Sequence, residues 1–251
     1  MEKICSMNEL NSLVLPYFKK GVITNCFFRV KEFEVFIGEN SLFYEKNNGV
    51  LMIFRKVNGV FHIYFYINEF QEIKIPKNSV VEVVDPNKNL IDYFIKLGFL
   101  VEKDRFEMEL KNWNGKCERL EKPNNIELKT AYEIVVNNFS SYYGCVPSFE
   151  EFCDEDVLIS KGENSCLDGV IHYKTLPNYS KILHIAVLEE KRLKGIGKKL
   201  LDGYIAREKD KCKSFRLWVN SDNEVAKKFY LKNGYDFTGR IAKIFSYMGE
   251  D

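Results

Sequence analysis

Hydrophobic residues between positions 182 and 205 follow first the pattern of a strand and then that of a helix. Residues 182–188 are a largely apolar run of strand length. The apolar residues that follow at helical spacing are Ile196, Leu200, Leu201, Tyr204 and Ile205. The turn between the two elements, residues 192–197, reads Arg-Leu-Lys-Gly-Ile-Gly. This layout is typical of a phosphate site, because glycines let backbone N–H groups approach an anion and the first turn of a helix has free donors.

Three lysines, Lys194, Lys198 and Lys199, add positive charge beside this turn. The glycine spacing matches neither the P-loop nor the dinucleotide-binding fingerprint. Taken alone, the segment is therefore equally typical of a solvated, basic helix start whose glycines serve packing.

A second strand–helix–strand pattern follows. Residues 215–219 have the character of a strand, and Ser221 and Glu224 have the spacing of a capping box in which Ser221 is the N-cap. The helix is predicted to end at Gly234, which suits the left-handed conformation after a helix, and Tyr235 begins the next strand.

The two patterns together resemble one protein family. Arg-x-x-Gly-x-Gly at 192–197, after a strand that ends in Ala-Val-Leu, resembles the acyl-CoA pyrophosphate motif of the GNAT superfamily of N-acetyltransferases. Asn-x-x-Ala-x-x-x-Tyr-x-x-x-Gly-Tyr at 223–235 resembles the second motif of that family. Two motifs in the right order are more specific than either one, and the resemblance covers the second half of the chain. It implies an α/β fold with a twisted, mixed β-sheet flanked by helices.

The resemblance also implies a reaction, in which the acetyl group of acetyl-CoA passes to a primary amine by direct attack. The strand through 185–188 would splay from the strand ending at Val219 and receive the pantetheine arm, and the pyrophosphate would lie on the amides of 193–198. The cofactor-binding residues implied in this way are Ala186, Val187, Leu188, Arg192, Leu193, Lys194, Gly195, Ile196, Gly197, Lys198 and Asn223.

Tyr230 matches the general acid of the family. An unperturbed phenol with a pKa near 10 stays protonated at neutral pH and can donate to a thiolate of pKa about 8–9. The alternative is a tyrosine that packs on the sheet. An imidazole ordinarily titrates near the working pH, but His184 falls on the opposite face of its strand from the bases of the family, so we predict a packed core histidine.

The substrate side of the family maps loosely onto the segment after the first helix of the second half, which is predicted over 128–143 with Gly144 as its stop. The residues implied there are Tyr142, Tyr143, Glu150 and Glu151, and the acidic run continues through Asp154 and Glu155. These carboxylates could take a proton through water or attract a cationic amine. They are just as consistent with a solvated acidic face.

The first half of the chain repeats the strand–helix–strand pattern at an offset of 136 residues (235 minus 99). The shift aligns Val83 with Val219, Asn87 with Asn223, Phe94 with Tyr230, Gly98 with Gly234 and Phe99 with Tyr235. This copy has no glycine between residues 69 and 78 and no phenol at Phe94, so we predict a degenerate domain. The alternative is that any strand–helix–strand unit ends its helix in this way. The sequence predicts tandem GNAT-like domains at 1–112 and 127–251 with a linker at 113–126.

Other elements of the first half are predicted from local signals. Asn58-Gly59 predicts a type I′ turn that joins strands at 49–57 and 60–67. Pro16 is expected to end the first helix early, and the apolar run at 33–37 predicts a strand.

Composition narrows the classes of partner. The net charge of +1 over 251 residues gives no field that would favour nucleic acid or an anionic membrane. Seven scattered cysteines indicate reduced thiols and a cytoplasmic protein; Cys145 and Cys153 are nucleophiles only in principle. Three histidines without ligand spacing predict no metal site. We expect a small-molecule or peptide amine as substrate; its identity and the oligomeric state stay open.

Two other classes of function remain. The protein could bind acyl-CoA as a sensor without turnover, although a sensor has no need of a general acid at Tyr230. It could also be an interaction protein in which both halves have lost catalysis, although the complete turn at 192–197 speaks against this.

Overall fold

The structure is a computed structural model, and it describes residues 1–18, 21–26, 30–113, 115, 119–144, 146–162 and 165–249. The chain divides into two compact units. The first comprises Met1–Asp104 and the residues from Ala242 onward, and the second comprises Arg105–Ile241. Cys145, one of the two candidate nucleophiles, lies outside the described residues, as do Cys117 and part of the predicted linker.

Within the described residues, the first unit is a mixed β-sheet with three α-helices. Its strands are β1 (Glu2–Lys3), β2 (Ile23–Thr24), β3 (Leu42–Asn47), β4 (Val50–Val57), β5 (Val60–Ile67), β6 (Ser79–Val84) and the start of β7 (Leu100–Leu110). Its helices are α1 (Met7–Val14), α2 (Val30–Gly38) and α3 (Lys88–Lys96). The end of the last strand of the chain, β12 (Asp236–Tyr247), pairs antiparallel with β6. The sheet order is β1-β3-β4-β5-β6-β12, and β2 also pairs with β5.

Of the local predictions in this unit, two are confirmed and one is wrong. Asn58 and Gly59 have φ angles of 49° and 81°, as the predicted type I′ turn requires, and α1 ends before Pro16 as expected. The strand predicted at 33–37 is wrong, because these residues lie in α2. Phe33 and Phe36, three residues apart, are both buried in one apolar cluster, which is helical spacing. An apolar run of five residues does not distinguish the two structures.

The second unit is also a mixed sheet with helices. Its strands are the end of β7, then β8 (Asp156–Lys161), β9 (Leu167–Thr175), β10 (Ser180–Val187), β11 (Phe215–Asn220) and the start of β12. Its helices are α4 (Asn125–Asn138), α5 (Phe149–Asp154), α6 (Ile196–Glu208) and α7 (Glu224–Lys232). The sheet order is β8-β9-β10-β11-β7-β12, in which β10 and β11 are parallel.

Two helix boundaries in this unit differ from the prediction. The helix predicted over 128–143 runs from Asn125 to Asn138, since Phe139 is extended and ends it before Gly144. The predicted N-cap at Ser221 is wrong, because the side chain of Asn223 caps α7 by accepting the amide of Ala226 at 3.0 Å.

Strand, capped helix, glycine and strand recur in the two units at the predicted offset. β6 and β11 begin 136 residues apart (215 minus 79), and so do α3 and α7 (224 minus 88). Asn87 and Asn223 each accept the amide three residues further on, and Gly98 and Gly234 have φ angles of 88° and 85°. Residues 68–78, all described, contain no helix. That the first half is a degenerate copy stays a prediction.

The core of the second unit places its functional elements on the two faces of the sheet. Leu200, Leu201 and Tyr204 of α6 and Tyr230 of α7 belong to one buried cluster with Leu217 and Val219 of β11. A separate cluster joins α4 and α5 to Val170 and Ala186. Because β10 contributes to both clusters, its position is fixed from both sides.

Candidate functional site

The parallel strands β10 and β11 separate soon after they begin. Their ladder joins Ser180 to Phe215 and Lys181 to Arg216, and no further pairs join the two strands, all of whose residues are described. β10 stays paired with β9 along its whole length, with a bulge between Ile182 and His184. The structure therefore confirms the predicted splay, and the edge of β10 that faces the gap has backbone groups available for a ligand.

The turn after β10 presents a row of amides with no acceptor. Leu193 and Gly195 have φ angles of 62° and 81°, which turns the chain sharply before α6. Gly195 is the N-cap, and no side chain caps the helix. The first backbone bond of α6 runs from Lys199 to Gly195 at 3.0 Å. Within the described structure, the amides of 193–198 have no backbone acceptor, so they are free to bind an anion.

The cations of the turn divide into paired and unpaired groups. Lys198 lies 2.7 Å from Asp202 one helical turn on. Lys194 and Lys199 are exposed and have no ion-pair partner among the described residues. Arg192 folds back: its Nε donates to the Val187 carbonyl at 3.2 Å and its Nη2 to Asn138 Oδ1 at 3.0 Å. Arg192 therefore braces the turn, and Lys194 and Lys199 are the mobile charges.

Tyr230 is buried on α7, at the predicted register. Its ring makes edge contacts with Phe229 and Tyr235, with centroids 5.2 and 5.4 Å apart. Burial raises the pKa of Tyr230 well above its ordinary value. The phenol therefore keeps its proton throughout the physiological pH range and can donate a hydrogen bond.

The implied substrate-side residues lie after α4. Tyr142 is in the turn at 140–144, where its amide donates to Ser140 Oγ at 3.2 Å. Glu151 forms a capping box with Ser148, in which its carboxylate accepts the Ser148 amide at 3.0 Å. Glu151 thus stabilises the start of α5, whereas Glu150 is exposed there.

One group of buried residues was not predicted from the sequence. His184 is buried as predicted, but it lies directly across the ladder from His172, and their Nδ1 atoms are 3.0 Å apart. His172 Nε2 is 2.6 Å from a carboxylate oxygen of Glu155, which the sequence placed in the acidic run. The sequence could have predicted this contact only from the pairing of His172 with His184 on neighbouring strands, and that pairing requires the register of β9 against β10.

Acid is expected to destabilise the second unit through His184. Burial, followed by the charge of His172, lowers the pKa of His184 to about 3, whereas an unfolded histidine has a pKa of about 6.5. Between these values the unfolded chain binds more protons, so stability falls as the pH drops below about 6.5. Trp113 and Trp218 both lie in this unit, so urea unfolding followed by tryptophan fluorescence reports on it. The midpoint should fall from pH 7 to pH 5, and less so in His184→Gln; an unchanged midpoint would contradict this.

The first unit contains a similar gap, and its own chain fills it. β5 and β6 pair only at Phe61–Ser79 and His62–Val80. Asn25 lies between the separated strands: its Nδ2 donates to the carbonyls of Ile63 and Glu82 at 2.9 and 3.1 Å. Its Oδ1 accepts the amide of Phe65 at 2.9 Å. The backbone groups that a ligand would use in this unit are therefore already satisfied.

Asn25→Ala is expected to destabilise the first unit by about 3 kcal/mol, because three backbone groups of Ile63, Phe65 and Glu82 lose their partner and each unsatisfied group costs about 1–3 kcal/mol. Urea unfolding followed by far-UV circular dichroism should show the loss, while the tryptophan signal of the second unit stays unchanged. Asn8→Ala, on the exposed surface of α1, is the matched control. Equal stability of the two variants would show that water replaces the amide.

Comparisons with known proteins agree with this geometry. Residues 154–236 match the family model of the acetyltransferase (GNAT) domain. A search of the curated proteins gave no match. Within the described residues, no group of three or more histidine, cysteine, aspartate or glutamate side chains could hold a metal ion. No described helix is long and apolar enough to cross a membrane.

Several solved structures share the fold at low identity. A GCN5-related N-acetyltransferase from Sphaerobacter thermophilus is 12% identical with a TM-score of 0.56, over 80% of this chain and 78% of that one. A tandem GNAT protein from the clavulanic acid biosynthesis pathway is 9% identical with a TM-score of 0.57, over 84% and 85%. A GNAT acetyltransferase from Colwellia psychrerythraea is 15% identical with a TM-score of 0.53, over 98% of each chain. At these identities the likeness shows the fold alone.

Proposed function

The chain carries a GNAT acetyltransferase domain at residues 154–236, and from this premise we propose that the protein is an N-acetyltransferase that uses acetyl-CoA. The acetyl group would pass by direct attack to a primary amine of a small molecule or peptide. We propose a cytoplasmic protein on the basis of its scattered cysteines, and the net charge of +1 gives no field that would favour a nucleic-acid or membrane partner.

The observation that carries the proposal is a gap in the sheet beside a row of uncapped amides. The pantetheine arm would lie along β10 between it and β11, as an added strand, near Ala186 and Val187. The pyrophosphate would bind the amides of 193–198, with Lys194 and Lys199 within reach and Arg192 bracing the turn. The Leu188 amide already donates to the Asp168 carbonyl at 3.0 Å, so Leu188 would shape the site without binding.

The reaction needs a polarised thioester carbonyl, a neutral amine and a proton for the departing thiolate. A backbone N–H of β10 would polarise the thioester carbonyl, and the neutral amine would attack its carbon. The C–N bond forms, the C–S bond breaks, and the sulfur leaves with the electron pair while the amine loses a proton. Tyr230 would give its phenolic proton to the thiolate and regain one from solvent. We assign no general base.

Asn223 would lie on the pantetheine side of the site. Its Oδ1 is held by the Ala226 amide at 3.0 Å, which fixes the side chain and leaves the amide nitrogen as the group for the ligand. On the acceptor side, Tyr142 and Tyr143 of the turn after α4 and Glu150 of α5 would contact the amine, and Glu151 would hold α5 in place.

For the first half we propose a degenerate GNAT-like domain without acyl-CoA. The Asn25 side chain bridges β5 and β6 where the second unit keeps its gap. No glycine turn or crossover helix follows β5. The proposed domains are 1–112 and 127–251 with a linker at 113–126, although residues 105–110 pair with β11 of the second unit and residues 242–247 pair with β6 of the first.

Isothermal calorimetry with acetyl-CoA tests the proposal. One binding site per chain is expected, and no binding would refute both the enzyme and a sensor that holds acyl-CoA without turnover. Thiol release over a panel of polyamines, amino acids, aminoglycosides and peptide N-termini then separates these two. Saturable turnover with any of these amines excludes the sensor.

A further inference from the structure

A buried chain of polar groups crosses the second unit beside the proposed site. It starts at the Glu155 carboxylate just after α5, passes through His172 on β9 and His184 on β10, and ends at the Gly144 carbonyl. The successive distances are 2.6 Å, 3.0 Å and 2.7 Å. The exposed fractions of His172 and His184 are 0% and 2%, so water does not compete for these contacts.

The contact between His184 and the Gly144 carbonyl fixes which ring nitrogens of the two histidines carry hydrogen. A carbonyl oxygen only accepts, so Nε2 of His184 carries hydrogen in its bond to Gly144. Buried neutral His184 then has a bare Nδ1, which accepts from Nδ1–H of His172. One more proton remains for the contact between His172 Nε2 and Glu155. At 2.6 Å the two partners hold that proton between them, and hydrogen stays on Nδ1 of His172 wherever it lies.

The charged groups around Glu155, His172 and His184 support this placement of the hydrogens. Burial alone would raise the pKa of Glu155, but the contacts with His172 and with Lys174 lower it. Arg105 of β7 also acts on His184 through its charge and lowers the pKa of that imidazole. Phe139 and Phe152 pack against the two imidazoles and carry no charge.

The series of polar contacts ends at Gly144, in a segment that is hydrogen-bonded at both ends to β10 or to the turn after it. Residues 139–144 form a tight turn in which the Gly144 amide donates to the Ser140 carbonyl at 2.6 Å. A Cβ at Gly144 would lie 2.3 Å from that oxygen. The near end of the turn follows Asn138, which accepts from Arg192, and the far end accepts from His184. Arg192 and His184 both belong to β10 or the turn after it.

We propose that His184 is a positioning residue: it holds the turn at 139–144 as the acceptor-side wall of the site, and the Glu155–His172 pair fixes the tautomer that lets it do so. The part of this inference that concerns the acceptor rests on the proposed function. The substrate would be an amine that contacts Tyr142 or Tyr143 on this wall, and His184 itself would not touch it.

Nitrogen-15 spectra of the full-length protein, labelled at histidine, test the protonation states. At pH 7, His184 should be neutral with hydrogen on Nε2, and Nδ1 of His172 should carry hydrogen. Glu155→Gln, whose amide can donate to Nε2 of His172, should keep hydrogen on Nδ1 of His172 and leave His184 unchanged. A cationic His184, or one with hydrogen on Nδ1, would overturn the inference.

Two variants separate positioning from packing. His184→Gln keeps a donor for the Gly144 carbonyl, whereas His184→Asn keeps the contact with His172 and loses the bond to Gly144. Amide exchange in the peptide spanning 139–144 should accelerate about fivefold to tenfold in His184→Asn and stay near parental in His184→Gln. Equal acceleration of exchange in both variants would show that His184 acts through packing alone. Parental exchange in His184→Asn would show that the hydrogen bond to Gly144 does not hold the turn.

Acetyl-CoA calorimetry on the same variants keeps this inference distinct from the proposed function. Affinity should change less than twofold in His184→Asn, while the KM for an amine found by the screen rises about tenfold and its kcat holds. Absence of acetyl-CoA binding to the parental protein would refute the proposed function and leave the tautomer and exchange results to decide the role of His184. An unchanged amine KM would overturn the acceptor-side assignment.

Discussion

Gly195→Asp is expected to weaken acetyl-CoA binding about a hundredfold while the second unit stays folded. Gly195 is the N-cap of α6, with a φ angle of 81°, and nothing lies within 4 Å of a Cβ built there. A carboxylate at this position would repel the pyrophosphate and would itself accept the amides that the phosphate needs. Each charge-assisted hydrogen bond contributes about 1.5–3 kcal/mol, and a tenfold change in affinity corresponds to about 1.4 kcal/mol. Calorimetry with acetyl-CoA measures the loss.

Two controls separate charge from backbone strain. Gly195→Asn has nearly the same shape and the same left-handed backbone cost, so the difference between the Asp and Asn variants isolates the charge. Gly59→Asp places the same side chain at a φ angle of 81°, also with nothing within 4 Å, in the first unit. It should bind acetyl-CoA with parental affinity. Parental affinity in Gly195→Asp itself would show that the pyrophosphate binds elsewhere.

The elements nearest the proposed site could be predicted because their signals are local. The apolar run of β10, the glycines of the turn and the helical spacing of α6 lie within 30 residues of sequence, and each element is decided by its own neighbours. Asn223 shows the limit of this reasoning. The side chain that caps α7 was recognised as a motif residue, but the cap itself was assigned to Ser221 because Ser221 and Glu224 had the spacing of a capping box.

The remaining features depend on partners that are far away in sequence. β7 follows α3 in the chain yet pairs with β11 from Arg105 to Leu110, and the end of β12 pairs with β6. The two strands occupy equivalent places in the repeat, so a pattern of alternating residues does not tell which sheet each one joins. The same holds for Asn25, which bonds β5 and β6 from a short segment with no regular pattern.

Packing geometry also explains why the contacts that link Glu155, His172 and His184 were not predicted from the sequence. A histidine on an apolar strand is usually a satisfied core residue, and His184 is one. What gives it further meaning is that His172 stands opposite it on β9 and that Glu155 closes the chain from the end of α5. Neither partner has a sequence spacing that marks it, since each is set by sheet register and by the place where α5 ends.

Tyr230→Phe is expected to lower turnover about a hundredfold and to leave acetyl-CoA affinity within twofold. The variant keeps the ring contacts with Phe229 and Tyr235 and removes one hydroxyl. A positioned general acid contributes about 10²–10⁴-fold to the rate, and without it the thiolate must leave unprotonated or take a proton from water. Initial rates of thiol release with an amine from the screen, measured at saturating acetyl-CoA, give the comparison.

Tyr235→Phe is the matched control for this effect. Tyr235 lies against Tyr230 in the same cluster, is fully buried, and its hydroxyl has no hydrogen-bond partner within the described structure. Removing that hydroxyl makes the same chemical change without touching the proposed acid, so turnover should stay parental. Phe94→Tyr, at the equivalent place in the first unit, should restore no activity while Asn25 fills the gap there. If Tyr230→Phe and Tyr235→Phe turn over equally fast, the phenol of Tyr230 is a packing group and the thiolate receives its proton from water.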